Sequence, residues 1–197
     1  MTAAGCARVP YRVAIPEREG VQPAGKSATA ADHNKVGVTY ESAGQYEKAI
    51  RAYRKSLVLE PENHVARTNL GNVLGKLCHF DKAEECYRDV LAKDPENLAA
   101  MNNLAWLLVS TGDTRECEEG IKFAGKCLSL AEKAAPGIRP SLLDTLAWGN
   151  YRLQRQSEAL RHARLAADLL GEEELKNNPL IWGHYRTIVG IQGRWAQ

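Results

Sequence analysis

One spacing constrains this chain more than any other feature: an offset of 34 residues. Glu60-Pro61-Glu62-Asn63 returns as Asp94-Pro95-Glu96-Asn97. The same offset pairs Gly37 with Gly71, Tyr46 with Phe80, Ala49 with Ala83 and Tyr53 with Tyr87. A fixed period of this size means that a small structural unit is stacked on copies of itself. Each copy lends its neighbour the apolar face that it cannot bury alone.

The residue types inside one period say what the unit is. Val36 and Tyr40, then Ala49, Ile50, Tyr53 and Leu57, recur at helical spacing. Gly44-Gln45 interrupts them, as a short helix–helix turn should. Gly37 and Ala49 are small enough for two antiparallel helices to approach closely, and Tyr40 and Tyr53 fill the space beside that contact. Pro61 cannot sit in a helix interior, so it closes the second helix. Asn63 and Asn97 stand where a capping side chain is favoured.

This pattern resembles the tetratricopeptide repeat, a helix–turn–helix unit. Unit one, residues 30–63, carries Gly37, Tyr40, Ala49, Tyr53 and Pro61 at the family's signature places. Unit two, 64–97, carries Leu70, Gly71, Leu74, Ala83, Tyr87 and Pro95. The resemblance implies an all-α fold, a right-handed superhelical array of antiparallel helix pairs. Its expected role is to bind other proteins or peptides, without enzymatic activity.

The later units are looser. In unit three, 98–139, Ala105 takes the place of Gly71. The turn is read as Gly112 to Glu116, longer than its counterparts, and Gly120, Ala124 and Cys127 face the packing side. Pro136, Gly137 and Pro140 then break the chain. In unit four, 140–173, Ala147 answers Ala105, and Ala159, Ala163 and Ala166 form a small packing face. Residues 174–197 are expected to hold a capping helix, with Leu180, Ile181, Trp182, Tyr185, Ile188 and Val189 covering the last apolar surface. Residues 1–29, with Pro10, Pro16 and Pro23, read as a flexible lead-in.

Composition removes several alternatives. Lys and Arg total 26 against 24 Asp and Glu, which gives no basic surplus for nucleic acid. No apolar run is long enough to span a membrane. Five cysteines at irregular spacing, with no Cys-x-x-Cys pair, suggest buried thiols in a reducing compartment. As written, the chain is expected to be cytoplasmic. An alternative makes Ala3-Ala4-Gly5-Cys6 the end of a lipoprotein signal whose upstream part is missing. Cys6 would then carry a lipid anchor and the chain would be an envelope assembly factor. Against this, the apolar stretch of such a signal does not precede Cys6.

Gly20 to Ser27 matches the letters of a phosphate-binding loop, which would make the chain a nucleotide-binding enzyme. Such a loop needs a strand before it, a helix after it and a parallel sheet around it. Repeats occupy the residues that would build that sheet. The five histidines show no zinc spacing, and no Gly-x-Ser-x-Gly elbow is present. No cofactor and no metal are expected.

In the resembling family, partners lie on the concave face, lined by the first helix of each unit. Those positions here are Asn34, Val38 and Glu41; Thr68, Asn72 and Lys76; Asn102, Trp106 and Val109; and Asp144, Trp148, Tyr151 and Arg152. An amide both donates to and accepts from an extended peptide backbone. Trp106 and Trp148 are candidate hot spots, or else pack beneath the end segment. The family's terminal-carboxylate clamp is not built, since of Asn34, Val38, Asn69, Ala99 and Asn103 only Asn69 fits it. Arg152, Arg155, Arg161, His162 and Arg164 form a basic stretch that reads as a solvated face, or one for an acidic partner or anionic lipid. Repeat arrays also associate through exposed ends, which leaves the oligomeric state open.

Overall fold

The structure is a computed structural model. It describes the backbone of residues 28–195 and the side chains of all of these except 132–134, 136 and 191–195. The lipoprotein-like Ala3–Cys6 and the loop-like Gly20–Ser27 lie outside the described residues. The described chain is helical throughout and divides into two compact units, Met1–Val90 and Leu91–Gln197.

The first unit holds α1 (Ala30–Ser42), α2 (Tyr46–Leu59), α3 (His64–Lys76) and most of α4 (Phe80–Lys93). Thr29 starts α1 with a capping box: its side chain accepts from the Asp32 N–H, and Asp32 accepts from the Thr29 N–H at 2.9 Å. Asn63 caps α3 by accepting from the Ala66 N–H at 2.9 Å. Buried Ser56 donates to the Ala30 carbonyl at 2.7 Å and ties α2 to the start of α1.

The contact that sets helix spacing is glycine against tyrosine. A Cβ on Gly71 would lie 2.6 Å from Cε1 of Tyr87, and one on Gly37 would run into the Tyr53 ring. Each ring fills the space that its glycine leaves, and its hydroxyl is hydrogen-bonded. Tyr53 donates to Glu41 at 2.7 Å and Tyr87 to Asn72 at 2.8 Å. Both phenols ionise only well above their ordinary value, chiefly because burial disfavours the anion.

The second unit holds α5 (Leu98–Thr111), α6 (Thr114–Ala134), a 3-10 turn at Pro136–Ile138, α7 (Arg139–Arg152), α8 (Gln156–Asn177) and α9 (Pro179–Trp195). Its core joins Ala105, Ala124 and Leu146 to Ala166, Leu175 and Ile181. Ala147, Ala159 and Ala163 pack against Ile188 of α9. The turn expected to run from Gly112 to Glu116 is shorter than that. Asp113 caps α6 and Glu116 completes the box by accepting from the Asp113 N–H at 2.8 Å, so Thr114–Glu116 are already helix. The additional residues lengthen α6, which has 21 residues where α4 has 14.

Two turns between paired helices use the left-handed region without glycine. Gly44 has φ 70°, while Cys78 and Gln154, at corresponding turns, have φ 61° and 60°. Cys86, Cys117 and Cys127 are buried free thiols as expected, but Cys78 departs from that expectation, being half-buried and disulfide-bonded. Burial pushes the Cys86 and Cys127 thiols up to about 11.

Two substitutions should therefore move stability in opposite directions. Gly71→Ala inserts a Cβ into the Tyr87 ring and should cost about 1–3 kcal/mol, the usual range for overpacking. Gln154→Gly relieves a left-handed residue and should gain about 0.5–1 kcal/mol, the steric relief less the entropy of glycine. Urea unfolding of both variants reads the signs. A neutral Gly71→Ala would show that the tyrosine contact does not fix the helix spacing.

Candidate functional site

The candidate face is built from first helices, and the two units present it differently. In the first unit, α1 and α3 carry it. Asn34 is half-buried and accepts from Asn69 Nδ2 at 3.2 Å. Asn72 is half-buried and accepts the Tyr87 hydroxyl. Lys76 Nζ donates to Glu41 at 2.7 Å, so one carboxylate serves both a lysine and Tyr53. Thr68 is buried and Val38 is exposed. This part of the face is polar, with its amides held in place by the scaffold.

In the second unit, the face is occupied by the chain itself. Asp144 on α7 is only 4% exposed. A buried carboxylate is costly unless it is paired. Its partner is His184 of α9, whose Nδ1 lies 2.9 Å and 3.0 Å from the two carboxylate oxygens. A carboxylate only accepts, so Nδ1 carries the proton. Trp148 stacks on the same imidazole, with ring centres 4.2 Å apart and planes 18° apart. Tyr151 also stacks on Trp148, at 5.1 Å, and Trp106 of α5 meets His184 at 5.6 Å.

Trp106 and Trp148 both meet His184, a residue that the sequence did not single out. They are half-buried beneath the C-terminal helix. Asp144 and Tyr151 join them. Arg152 points elsewhere: its guanidinium donates to the Val109 carbonyl and, at 3.0 Å, to that of Gly112. It closes the carboxyl end of α5, whose last turn holds no basic residue of its own. Asn102, half-buried on α5, donates to Asn103 at 3.2 Å, while its Oδ1 is buried and accepts no hydrogen bond from the protein.

His184 was missed because a lone histidine in the segment Leu180–Val189 gives no hint of its partner. Asp144 did leave a signal. A carboxylate inside the largely apolar run Leu142-Leu143-Asp144-Thr145-Leu146-Ala147 requires a counter-group.

Among the described residues, no group of three or more His, Cys, Asp or Glu side chains forms a metal cluster. No described helix is long and apolar enough to cross a membrane.

An all-α stack of antiparallel helix pairs, with side chains gathered on the first helix of each pair, defines a helical-repeat protein. Comparison with known proteins gives the kind of repeat. A TPR repeat model matches residues 37–77, and tetratricopeptide repeat models match 65–97 and 86–119. Solved structures share the fold. PilF of Pseudomonas aeruginosa superposes with a TM-score of 0.68 at 18% identity, over 85% of this chain and 70% of that one. MamA from Desulfovibrio magneticus RS-1 gives 0.61 at 22% identity, over 73% and 77%. The TPR2B domain of yeast Sti1, solved as a complex with pHsp70, gives 0.58 at 18% identity, over 62% and 97%. No curated protein matches the chain. Residues 37–119 of the chain are thus tetratricopeptide repeats.

If the tryptophans serve α9, removing one should loosen that helix first. Trp148→Ala is expected to cost about 2–3 kcal/mol, below the range for a fully buried tryptophan. Hydrogen exchange should quicken in α9 before it does in α5. Unchanged protection of α9 in this variant would mean that the stack contributes nothing to its docking.

Proposed function

We propose that this chain is a protein-binding scaffold that holds an extended partner segment against the first helices of its repeats. Family and fold support the general role of protein interaction. The finer reading rests chiefly on Asn102. The side chain is half-buried and its amide oxygen accepts no hydrogen bond from the protein, so a turn of the side chain toward the face would offer that oxygen to a peptide N–H laid across α5. Asn34 and Asn72, on the first helices of the first unit, are amides of the same kind, steadied by Asn69 and Tyr87.

In this reading the two classes of candidate residue divide the work. Asn34 and Asn72 in the first unit, and separately Asn102 in the second, meet a partner's backbone. Trp106, Trp148, Tyr151 and Asp144 hold α9, and Arg152 finishes α5. The partner is therefore recognised mainly through its main chain on the polar stretch. A large apolar anchor is not required.

The test is quantitative capture of partners from the native host, comparing the wild type with Asn102→Ala. Retention should fall about two- to tenfold, the worth of one hydrogen bond at about 0.5–1.5 kcal/mol. Thermal unfolding should be little changed. Equal retention by both proteins would place binding away from α5.

A further inference from the structure

The basic stretch picked out in the sequence does not act as one surface. Arg152 is spent on the carboxyl end of α5, and Arg155 pairs with Glu118 at 2.6 Å. Arg161 and Arg164 remain on the outer side of α8, both exposed. Beyond them stand Leu165, 44% exposed, and Leu169, 48% exposed. Asp168 follows on the same side, also exposed. The regular part of α8 ends just after, because Gly171 turns to φ 71° and leaves the helix.

A hollow of about 350 Å³ lies on this helix, lined by Ser157, Leu160, Arg161, Arg164 and Leu165. These residues are spaced i, i+3, i+4, i+7 and i+8. Four such residues make the hole that receives one side chain of a facing helix in knobs-into-holes packing. The hole is in place and an exposed leucine stands one to two turns along the same face.

The geometry points to a second copy of this chain as the occupant, docked through α8 against α8 in an antiparallel two-fold pair. With Leu165 on the axis, residue 169 of one copy faces residue 161 of the other. Leu169 of the second copy then seats in the hollow, and the reciprocal contact forms by symmetry. Asp168 of the second copy comes opposite the turn that carries Arg161 and Arg164. Arg161 and Arg164 stand on one side of the axis and Asp168 on the other, so these three charges complement themselves under that rotation and not in an in-register parallel pair. An isologous contact requires this property.

One helix pair is small beside the roughly 1,200 Å² that a stable interface buries. The dimer is therefore weak and forms with rising concentration. Sedimentation equilibrium of the full chain up to about 1 mM, the weak end of the affinity scale, should show a monomer–dimer equilibrium. Salt at about 1 M, where the Debye length is about 3 Å, should weaken it severalfold.

Charge exchange provides the decisive test. Asp168→Arg faces two arginines with a third and should dimerise at least tenfold more weakly. Arg161→Glu/Arg164→Glu should do the same with acids. An equimolar mixture of the two variants should recover association to within about threefold of the wild type, because each now supplies what the other lacks. Leu165→Glu should abolish pairing. All the substituted side chains are exposed, so circular dichroism should show unchanged helix content. A wild type that stays monomeric throughout, single variants that pair as well as the wild type, or a mixture that fails to recover would each overturn the α8 dimer.

Discussion

A tyrosine ring lying where a glycine lacks its Cβ is the contact on which the first unit depends. The ring of Tyr53 lies over Gly37 and that of Tyr87 over Gly71. It sets how closely the two helices of a pair approach, and the pair must be that close for its outer faces to match the next pair. The hydroxyls then reach Glu41 and Asn72 on the first helices. One residue type thus fixes the packing inside a pair and orients polar side chains on the candidate face. The second unit meets the same need with other residues. Gly120 admits the backbone and Val109 of α5, and Gly149 admits Ile121 of α6.

The second unit shows what happens to a repeat face when the chain supplies its own neighbour. Helix α9 covers the last pair with Ile181 and Ile188, as an end cap must. It also places His184 on Asp144 and between two tryptophans. A buried carboxylate and large aromatic rings in a groove are the features by which one would recognise a ligand site. Here an intrachain helix satisfies both.

The parts legible in the sequence are those set by local or strictly periodic chemistry. The glycine–tyrosine pairs, the Asn63 and Asn97 caps and the helical pairs of the first two units follow from residue types at a fixed offset. The Asp113 and Glu116 capping box was also legible, since Asp-x-x-Glu before an apolar-periodic run marks a helix start. Reading Gly112–Glu116 as a long turn gave too much weight to the glycine. The contacts that could not be read span long stretches of chain: His184 with Asp144, and Arg152 with the end of α5, lie 40 residues apart or more. No offset announces them, because each occurs once. The concave positions carried over from the family located Trp106 and Trp148 on the right helices, but not the helix that lies on them.

The grip of Arg152 on Val109 and Gly112 bears on how this array is composed. Helix α5 ends without a positive charge of its own, and the charge that completes it belongs to the following helix pair. The third pair is therefore electrically unfinished in isolation. Repeat proteins are often pictured as interchangeable bricks, but this one has mortar fixed to the next brick. Excising or shuffling the fourth pair would strip its predecessor of the group that completes a helix end, so these two pairs are best moved together.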